Sequence, residues 1–262
     1  MNFTFLISTY KKNQDILDNT IYFLKKNFHK KLNLYISGNS NYKIKGAQNI
    51  SKKNEDNLVW SKRISKSLDR INTDYFIFMM DDFVIHKKIN NQILNLLIQL
   101  CKKKKINYLN LTNFDNKKIF NEIFINSRVK DKIIIGKQIK NEYRINLQIS
   151  IWNKSFLKQI LKKKYNPWQF EININKNNNF KKIYSINKNN IVFNYNKRGS
   201  VIRGKWIRKE LEFSIKNNPF FPKKKIIRPI LTIFEEIINH ENILLKLIIQ
   251  LLIKIKKIKN EL

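Results

Sequence analysis

The stretch Tyr75–Ile85, YFIFMMDDFVI, sets two adjacent carboxylates, Asp81 and Asp82, directly after an apolar and aromatic run. A continuous apolar run of this length is typical of a strand that is buried on both faces, as in a parallel sheet. Consecutive strand residues point to opposite faces, so the two carboxylates can act together only where the strand ends. The pair is therefore either the cap of a turn or part of a site that requires negative charge at a strand end.

Strand-like and helix-like segments alternate on both sides of this stretch. FTFLIS (3–8) and KLNLYIS (31–37) predict two earlier strands, with helical apolar spacing between them. This alternation predicts an α/β fold with an open, mixed, largely parallel sheet flanked by helices. Ligands of such sheets bind outside the carboxyl ends of the strands, where the strand order reverses. Thr9, the turn SGNS (37–40) and Asp81–Asp82 all follow strand ends.

Further elements are predicted along the rest of the chain. Apolar residues recur at helical spacing over residues 57–71 and 153–164. A second helix is expected from Pro167, because proline is favourable in the first helical turn. KKIYSI (181–186) and NIVFNYN (190–196) predict two late strands.

The C-terminal end of the chain has a different composition. Within residues 241–262, lysines form a narrow stripe, and Ile and Leu occupy nearly all the rest of the helical surface. This pattern is typical of an amphipathic helix that lies on an anionic membrane, although packing on the domain or on a second subunit would give the same pattern. The sequence thus predicts a domain over residues 1–222 and a basic helical tail over residues 223–262.

The overall composition narrows the class of protein. The chain has 262 residues, 42% of them hydrophobic, and a formal net charge of +34. Its lysines are spread over every segment, whereas a nucleic-acid module carries arginines and aromatics together on one face, so nucleic acid is not the expected partner. The single cysteine, Cys101, excludes an internal disulfide and a cysteine zinc site, and it fits a reducing, cytoplasmic setting. Neither GxxxxGK[ST] nor GxGxxG occurs.

Several short motifs occur in a recognisable order between Phe3 and Trp206. In chain order they are STY, SGNS, WSKRISKSL, MMDDF, LQISIWNK, NPWQFE and RGSVIRGKW. With them the chain resembles a group of bacterial sugar transferases of the GT-A fold, which occur in gene sets for capsule, lipopolysaccharide and related surface glycans. The most specific part of the resemblance is PWQFE followed by GKW.

The resemblance implies a cation site and a general base. Asp82, together with Asp81, would hold Mn²⁺ or Mg²⁺ against the diphosphate of a nucleotide-sugar donor, where the metal acts as a Lewis acid. Glu171 would deprotonate the hydroxyl of a glycan or lipid-linked acceptor. The alternative for Glu171 is a first-turn carboxylate that is stabilised by the helix dipole. The chain departs from the family pattern in having Gln169 where many relatives have Glu, and in lacking the separated Asp-x-Asp spacing.

The resemblance also implies three groups of binding residues. The nucleoside part of the donor would contact Thr9, Tyr10, Ser37, Asn39, Trp60, Arg63 and Asp81. The diphosphate would contact Arg198, Arg203 and Lys205. The transferred sugar and the acceptor would contact Gln148, Trp152, Trp168 and Phe170. For Trp60, packing in the core is the alternative.

The resemblance implies inverting sugar transfer at the cytoplasmic face of the cell membrane. A nucleotidyltransferase that makes sugar nucleotides is the alternative enzyme, but such enzymes carry a glycine-rich, lysine-bearing N-terminal loop, and STYKKNQD has no glycine. A non-catalytic basic module that binds nucleic acid or membrane is the alternative outside enzymes.

Overall fold

The computed structural model describes residues 3–10, 12–112, 122–125, 133–138, 143–176, 180–187, 191–222, 228–232 and 235. The chain divides into two compact units, residues 1–197 and 198–262. The boundary predicted after residue 222 stays a prediction, and the helix predicted over 241–262 lies outside the described residues. Among the residues that are described, no helix combines the length and the apolar character needed to cross a bilayer.

Within the described part of the first unit, nine strands form one mixed sheet. They are β1 (Phe3–Ser8), β2 (Leu32–Ser37), β3 (Gln48–Asn49), β4 (Tyr75–Met80), β5 (Tyr108–Asn110), β6 (Glu122–Ile125), β7 (Ile133–Lys137), β8 (Ser150–Asn153) and β9 (Ile183–Ile186). Their spatial order is β3-β2-β1-β4-β8-β5-β9-β7-β6. Only β7 and β8 run against the direction of the other strands, which follows from the sense of each pairing. The predicted mixed, largely parallel sheet is confirmed.

Helices cover both faces of this sheet. They are α1 (Gln14–Asn27), α2 (Trp60–Leu68), α3 (Asn91–Lys104), α4 (Lys154–Ile160) and α5 (Pro167–Lys176). Alternate residues of a strand face opposite sides, so Ile77 and Met79 of β4 join the core under α1 and α3. Phe76 and Phe78 join the core under α2, α4 and α5. The apolar stretch before Asp81 is therefore a strand buried on both faces, as predicted.

Two predicted elements differ from the structure. The sequence predicts a strand over residues 190–196, but the described part of it, residues 191–196, joins no ladder. Val192 and Phe193 are buried there, and the Asn194 carbonyl accepts a hydrogen bond from the His86 amide at 2.8 Å. The apolar residues of this segment therefore serve the core without sheet pairing. The helix predicted from residue 57 begins at Trp60, because a 3-10 turn at Lys53–Glu55 and the bend after it occupy the preceding residues.

The second unit contains a short antiparallel ribbon and a helix. The ribbon pairs β10 (Val201–Ile202) with β11 (Lys205–Trp206), and α6 spans Arg208–Asn217. Trp206 is buried and packs edge-on against Phe221, with ring centroids 5.7 Å apart.

Candidate functional site

Three chain segments leave the sheet side by side at the carboxyl ends of β1, β2 and β4. Ser8 is in register with Ser37 on one side and with Met80 on the other. The residues that follow, Thr9 and Asp81, continue the contact, because the Thr9 amide donates to the Ser37 carbonyl at 2.9 Å and the Asp81 amide to the Ser8 carbonyl at 3.0 Å. The predicted meeting of STY, SGNS and MMDD at one edge is thus present in the fold.

The first aspartate of the pair, Asp81, holds the loop that follows β1. Its Oδ2 accepts hydrogen bonds from the Thr9 hydroxyl at 2.5 Å, the Asn13 side-chain amide at 3.0 Å and the Tyr10 backbone amide at 3.3 Å. Burial raises the pKa of Asp81 above its ordinary value, and these hydrogen bonds oppose the shift. Asp81 therefore orients the loop that carries Tyr10.

Gly38, at the end of β2, lets this loop approach closely. A Cβ atom added at Gly38 would lie 2.0 Å from the Cγ2 atom of Thr9. Only glycine fits such a contact without displacing the neighbouring strand end.

A cavity of about 270 Å³ lies in front of these strand ends. Its lining residues are Tyr10, Gly38, Asn39, Asp56, Asn57, Leu58 and Arg63. The Tyr10 side chain is 60% exposed. The Tyr10 carbonyl accepts a hydrogen bond from the Tyr42 hydroxyl at 2.8 Å, which fixes the backbone below the ring. The cavity therefore combines an accessible aromatic ring with polar side chains.

Arg63 contributes a buried positive charge to this cavity. Its side chain is 7% exposed, and its Nη2 donates to the Thr9 carbonyl at 3.0 Å. Its Nε atom is buried without a hydrogen-bond partner among the described residues. Burial lowers the pKa of Arg63, and the nearby carboxylates of Asp56 and Asp81 oppose this. Arg63 therefore places in the cavity lining a guanidinium with one unsatisfied N–H, which is costly for a buried donor.

Two predicted nucleotide-binding residues are packed away from the cavity. The Ser37 hydroxyl is fully buried, 2.8 Å from the Ser67 hydroxyl. Trp60 donates from its indole nitrogen to the Ser8 hydroxyl at 2.9 Å, and its ring packs against Phe170 with centroids 5.3 Å apart. Both side chains pack against the strand ends and are not part of the cavity lining. A direct binding role for either stays a prediction.

The opposite wall of the cavity was not foreseen from the sequence. Asp56 accepts hydrogen bonds from the Ser40 amide at 2.8 Å and the Ser40 hydroxyl at 2.7 Å, which joins the wall to the turn after β2. The preceding Glu55, 2% exposed, forms an ion pair with Arg70. Both Glu55 oxygens accept from the guanidinium, at 2.5 and 2.8 Å. The only sequence signal for this wall is the polar turn KKNEDN before the helix.

Replacing Arg70 by methionine should lower the free energy of unfolding by about 3 kcal/mol at neutral pH, because Glu55 would remain buried without its partner. Arg70 lowers the pKa of Glu55 below its ordinary value of 4.5. The pair therefore stabilises the chain above pH 4.5, and the loss in the variant should shrink as the pH falls through the folded pKa. Urea unfolding at neutral and acidic pH measures this difference.

A matched control is Lys158→Met, which removes the partner of Asp69 from an ion pair whose side chains are 51% and 55% exposed. That change should cost less than about 1 kcal/mol. Equal losses for the two variants, or a loss in the Arg70 variant that does not depend on pH, would contradict the role of the buried pair.

A second polar group surrounds Glu171 on α5. Glu171 Oε1 accepts a hydrogen bond from the Leu147 amide at 2.7 Å, just before β8. Burial raises the pKa of Glu171 above its ordinary value of 4.5, and the bond from Leu147 opposes the shift. A half-buried carboxylate with a raised pKa is a stronger base than an exposed one. The same bond also ties α5 to the segment before β8.

The Gln148 side chain is held by Tyr195 and Lys197. The Tyr195 hydroxyl donates to Gln148 Oε1 at 2.7 Å, and the Gln148 amide nitrogen donates to the Lys197 carbonyl at 3.0 Å. Asp82 lies half-buried in the turn after β4, and its charge contributes to a raised pKa of Tyr195, which burial causes in the main. The two hydrogen bonds fix the orientation of the Gln148 side chain.

The predicted aromatic residues around the sugar divide into buried and exposed ones. Trp152 and Phe170 are fully buried, and the Trp152 indole donates to the Ser150 hydroxyl at 2.8 Å. Trp168, in contrast, is 73% exposed on α5. In this conformation only Trp168 offers a ring face to a substrate, and the binding roles of Trp152 and Phe170 stay predictions.

The three basic residues predicted for the diphosphate belong to the second unit. Arg203 adopts a positive φ of 50° in the turn between β10 and β11. Lys205 forms an ion pair with Glu235 at 2.5 Å. Arg198 begins this unit. Their contact with a diphosphate stays a prediction.

A divalent cation at this edge of the sheet would be held by the carboxylates of the aspartate pair. The Oδ2 atom of Asp81 accepts three hydrogen bonds from protein donors, and Asp82 lies half-buried in the turn that follows β4. Across the part of the chain that the structure describes, no three His, Cys, Asp or Glu side chains lie close enough together to hold a metal ion. A cation bound here would therefore take at most the two carboxylates of Asp81 and Asp82 from the protein and the rest of its ligands from a diphosphate and water, which is a common arrangement for Mg²⁺.

No protein-family model and no curated protein matches the chain. Among solved structures, residues 1–349 of S. aureus TarS match with 14% identity and a TM-score of 0.39, over 71% of this chain and 60% of that one. CMP:2-keto-3-deoxy-manno-octonic acid synthetase complexed with CTP matches with 9% identity and a TM-score of 0.39, over 65% and 81%. The apo form of the glycosyltransferase GlyE from Streptococcus pneumoniae TIGR4 matches with 9% identity and a TM-score of 0.35, over 71% and 44%.

This chain spans less than two thirds of the TarS and GlyE chains, and only 30% of a longer TarS chain. Because all these TM-scores lie below 0.5, the likenesses carry no weight for the function.

Proposed function

We propose that this chain is a glycosyltransferase that moves a sugar from a nucleotide-sugar donor to a glycan or lipid-linked acceptor. The observation that carries the proposal is the cavity at the carboxyl ends of β1 and β2. There an exposed aromatic ring, a buried guanidinium with an unpaired N–H and several polar side chains converge beside the loop that Asp81 holds. Such an edge is where open α/β sheets bind nucleotides.

The nucleoside of the donor fits the cavity by its chemistry. The Tyr10 ring offers a face for stacking a base, and stacking of this kind contributes roughly 1–3 kcal/mol. Asn39 and Asp56 lie at the rim and provide hydrogen-bonding groups for the base or the ribose. The guanidinium of Arg63, which is part of the cavity lining, provides a positive charge beside the nucleoside.

The diphosphate of the donor is assigned to the side of Asp82. Mn²⁺ or Mg²⁺ held there would neutralise charge on the departing nucleoside diphosphate. Asp81 keeps the Tyr10 loop in place through its three hydrogen bonds. Arg198, Arg203 and Lys205 remain our candidates for further phosphate contacts.

Glu171 is the proposed general base. The acceptor hydroxyl gives its proton to the Glu171 carboxylate while its oxygen forms a bond to the anomeric carbon of the donor sugar. The bond between that carbon and the diphosphate oxygen breaks, and the leaving group takes the electron pair. This single displacement inverts the anomeric configuration. Gln148 is the proposed contact for the sugar.

The biological setting is proposed from the motifs alone. The order of STY, SGNS, MMDDF, PWQFE and GKW is similar to that of transferases for capsule and lipopolysaccharide. We therefore assign the acceptor to surface-glycan synthesis at the cytoplasmic face of the membrane.

A thermal-shift screen of nucleoside diphosphates and nucleotide-sugars, with and without Mn²⁺, tests the proposal. At least one nucleotide-sugar and its nucleoside diphosphate should raise the melting temperature. Stabilisation by nucleoside triphosphates alone would favour a nucleotidyltransferase instead. Binding of short RNA that survives moderate salt, with no response to any nucleotide-sugar, would favour a non-catalytic module.

Replacing Tyr10 by alanine should weaken donor binding about 5- to 100-fold, because the stacking face is lost. The matched variant Tyr10→Phe keeps the ring and should bind within about threefold of the native chain. Titration calorimetry with the nucleotide found in the screen measures both. Equal affinity of the alanine and native chains would remove Tyr10 from the donor site.

A further inference from the structure

A basic loop and an exposed apolar helix face lie next to each other in the first unit. Lys162, Lys163 and Lys164 connect α4 to α5, and all three are exposed. Trp168 and Ile172, one helical turn apart on α5, are 73% and 47% exposed. These five residues are called the basic-aromatic face below.

The loop of this face is fixed to the start of α2. The Ser61 hydroxyl donates to the Lys163 carbonyl at 2.8 Å and accepts from the Tyr165 amide at 2.9 Å. The Ser61 amide donates to the Tyr165 carbonyl at 3.1 Å, and Lys62 Nζ donates to the Lys162 carbonyl at 2.8 Å. Four hydrogen bonds thus hold the backbone of the lysine run in one shape.

The orientation of α5 is fixed as well. Asn166 and Gln169 bond each other's backbone amides at 2.8 and 3.0 Å at the start of the helix. Phe170 turns inward and contacts the Trp60 ring, with centroids 5.3 Å apart. Trp168 and Ile172 must then point outward, because they lie on the opposite side of the helix.

We infer that the basic-aromatic face docks on an anionic lipid bilayer. Tryptophan and aliphatic side chains beside lysines are the combination that an interfacial surface uses, since the apolar groups enter the headgroup region and the lysines meet anionic lipids. A soluble anionic glycan could stack on Trp168 and pair with the lysines. It would leave the aliphatic Ile172 in water, so the bilayer accounts for more of the face.

The position of this face also suggests how a lipid-linked acceptor reaches the proposed base. Glu171 is on the same helix, and its carboxylate is bonded to the Leu147 amide on the protein side, so docking would hold the helix that carries the proposed base at the membrane surface. A lipid-linked acceptor would then reach it without leaving the bilayer. This link to the acceptor rests on the proposed function, whereas the lipid contact itself does not.

Tryptophan fluorescence of the full chain tests the contact directly. The chain has four tryptophans, and Trp60, Trp152 and Trp206 are only 6%, 0% and 1% exposed. Trp168 is therefore the tryptophan that responds to a surface contact. Vesicles of phosphatidylcholine with roughly one quarter phosphatidylglycerol should shift the emission to shorter wavelength. Phosphatidylcholine brominated on its acyl chains should quench it, and the variant Trp168→Phe should lose both signals.

Two lysine triplets give a matched comparison in vesicle sedimentation. Changing Lys162, Lys163 and Lys164 to glutamine should weaken partitioning roughly fivefold for each lost charge. The same change at Lys102, Lys103 and Lys104, exposed on α3 without large exposed apolar neighbours among the described residues, should have at most about a twofold effect. Equal losses of vesicle partitioning for both triplets would show that the net charge alone attracts the chain to the vesicles, and this would overturn the inference.

Two further outcomes would also overturn it. Binding to vesicles without quenching of Trp168 would place the lipid contact elsewhere, such as residues 241–262. A shift of Trp168 emission by a soluble anionic glycan but not by vesicles would assign the face to a glycan. A chain that passes the lipid test but binds no nucleotide-sugar would contradict the proposed function alone.

Discussion

Replacing Glu171 by glutamine should lower the rate of sugar transfer about 10²- to 10⁴-fold while donor affinity stays unchanged. Glutamine keeps an oxygen that can accept the hydrogen bond from the Leu147 amide, so the link between α5 and the segment before β8 is retained. The variant cannot take the proton of the acceptor hydroxyl. Initial rates with the native and variant chains, at saturating donor, measure the loss.

The pH dependence of the native chain provides the second half of this test. Burial raises the pKa of Glu171 above 4.5, and a general base works only when deprotonated. The transfer rate of the native chain should therefore fall as the pH drops through that raised pKa. The residual rate of the glutamine variant should lack this acid limb. A glutamine variant with the native rate, or with the same acid limb, would exclude Glu171 as the base.

Replacing Asp82 by asparagine should lower transfer roughly 10²- to 10³-fold, because the cation would lose a protein carboxylate and stabilise the leaving diphosphate less. The loss should appear in Mn²⁺- or Mg²⁺-supported activity. The native chain with a chelator should fall to the level of the variant. If the Asp82 variant stays fully active with chelator present, the cation site is assigned wrongly.

Asp81 provides the comparison for Asp82, because its carboxylate holds the Tyr10 loop by hydrogen bonds. Replacing Asp81 by alanine would leave Thr9, the Tyr10 amide and Asn13 without their shared acceptor. This should lower the free energy of unfolding by roughly 2–4 kcal/mol. Asp82→Asn should change it by less than about 1 kcal/mol. Equal stability losses for the two variants would contradict the division of roles within the pair.

The sequence predicts the strands around the site well, because their signal is local. The apolar run before Asp81 forms β4, and the segments that end at Ser8 and Ser37 form its parallel neighbours. Pro167 begins α5, as its fixed φ favours. The meeting of three polar segments at one sheet edge followed from this α/β pattern, since parallel strands end on the same side.

The direction of individual side chains was less predictable. Ser37 and Gly38 are neighbours, but only Gly38 lines the cavity, because the register of β2 turns Ser37 toward Ser67. Trp152 lies in β8 between β4 and β5, and its burial depends on that strand pairing across the chain. Such contacts between distant segments leave no periodic signal in the sequence.

The opposite wall of the cavity was equally hard to predict from the sequence. Asp56, Asn57 and Leu58 lie in a polar turn whose sequence resembles any exposed loop. Their place in the site comes from the ion pair of Glu55 with Arg70 and from the bonds of Asp56 to Ser40. Both are contacts between side chains at least fifteen residues apart.

Thiol labelling at the cavity wall tests the central claim most directly. The native Cys101 is fully buried, and burial raises the pKa of its thiol, so it should not react in the folded chain. A cysteine placed at Asn57, exposed at the cavity, is compared with one at Asn54, exposed on the neighbouring 3-10 turn but not part of the lining. A nucleotide-sugar should lower the labelling rate at position 57 in proportion to the fraction of chains that have it bound. The labelling rate at position 54 should not change. Undiminished labelling at position 57 under saturating nucleotide-sugar would show that this cavity is not the donor site.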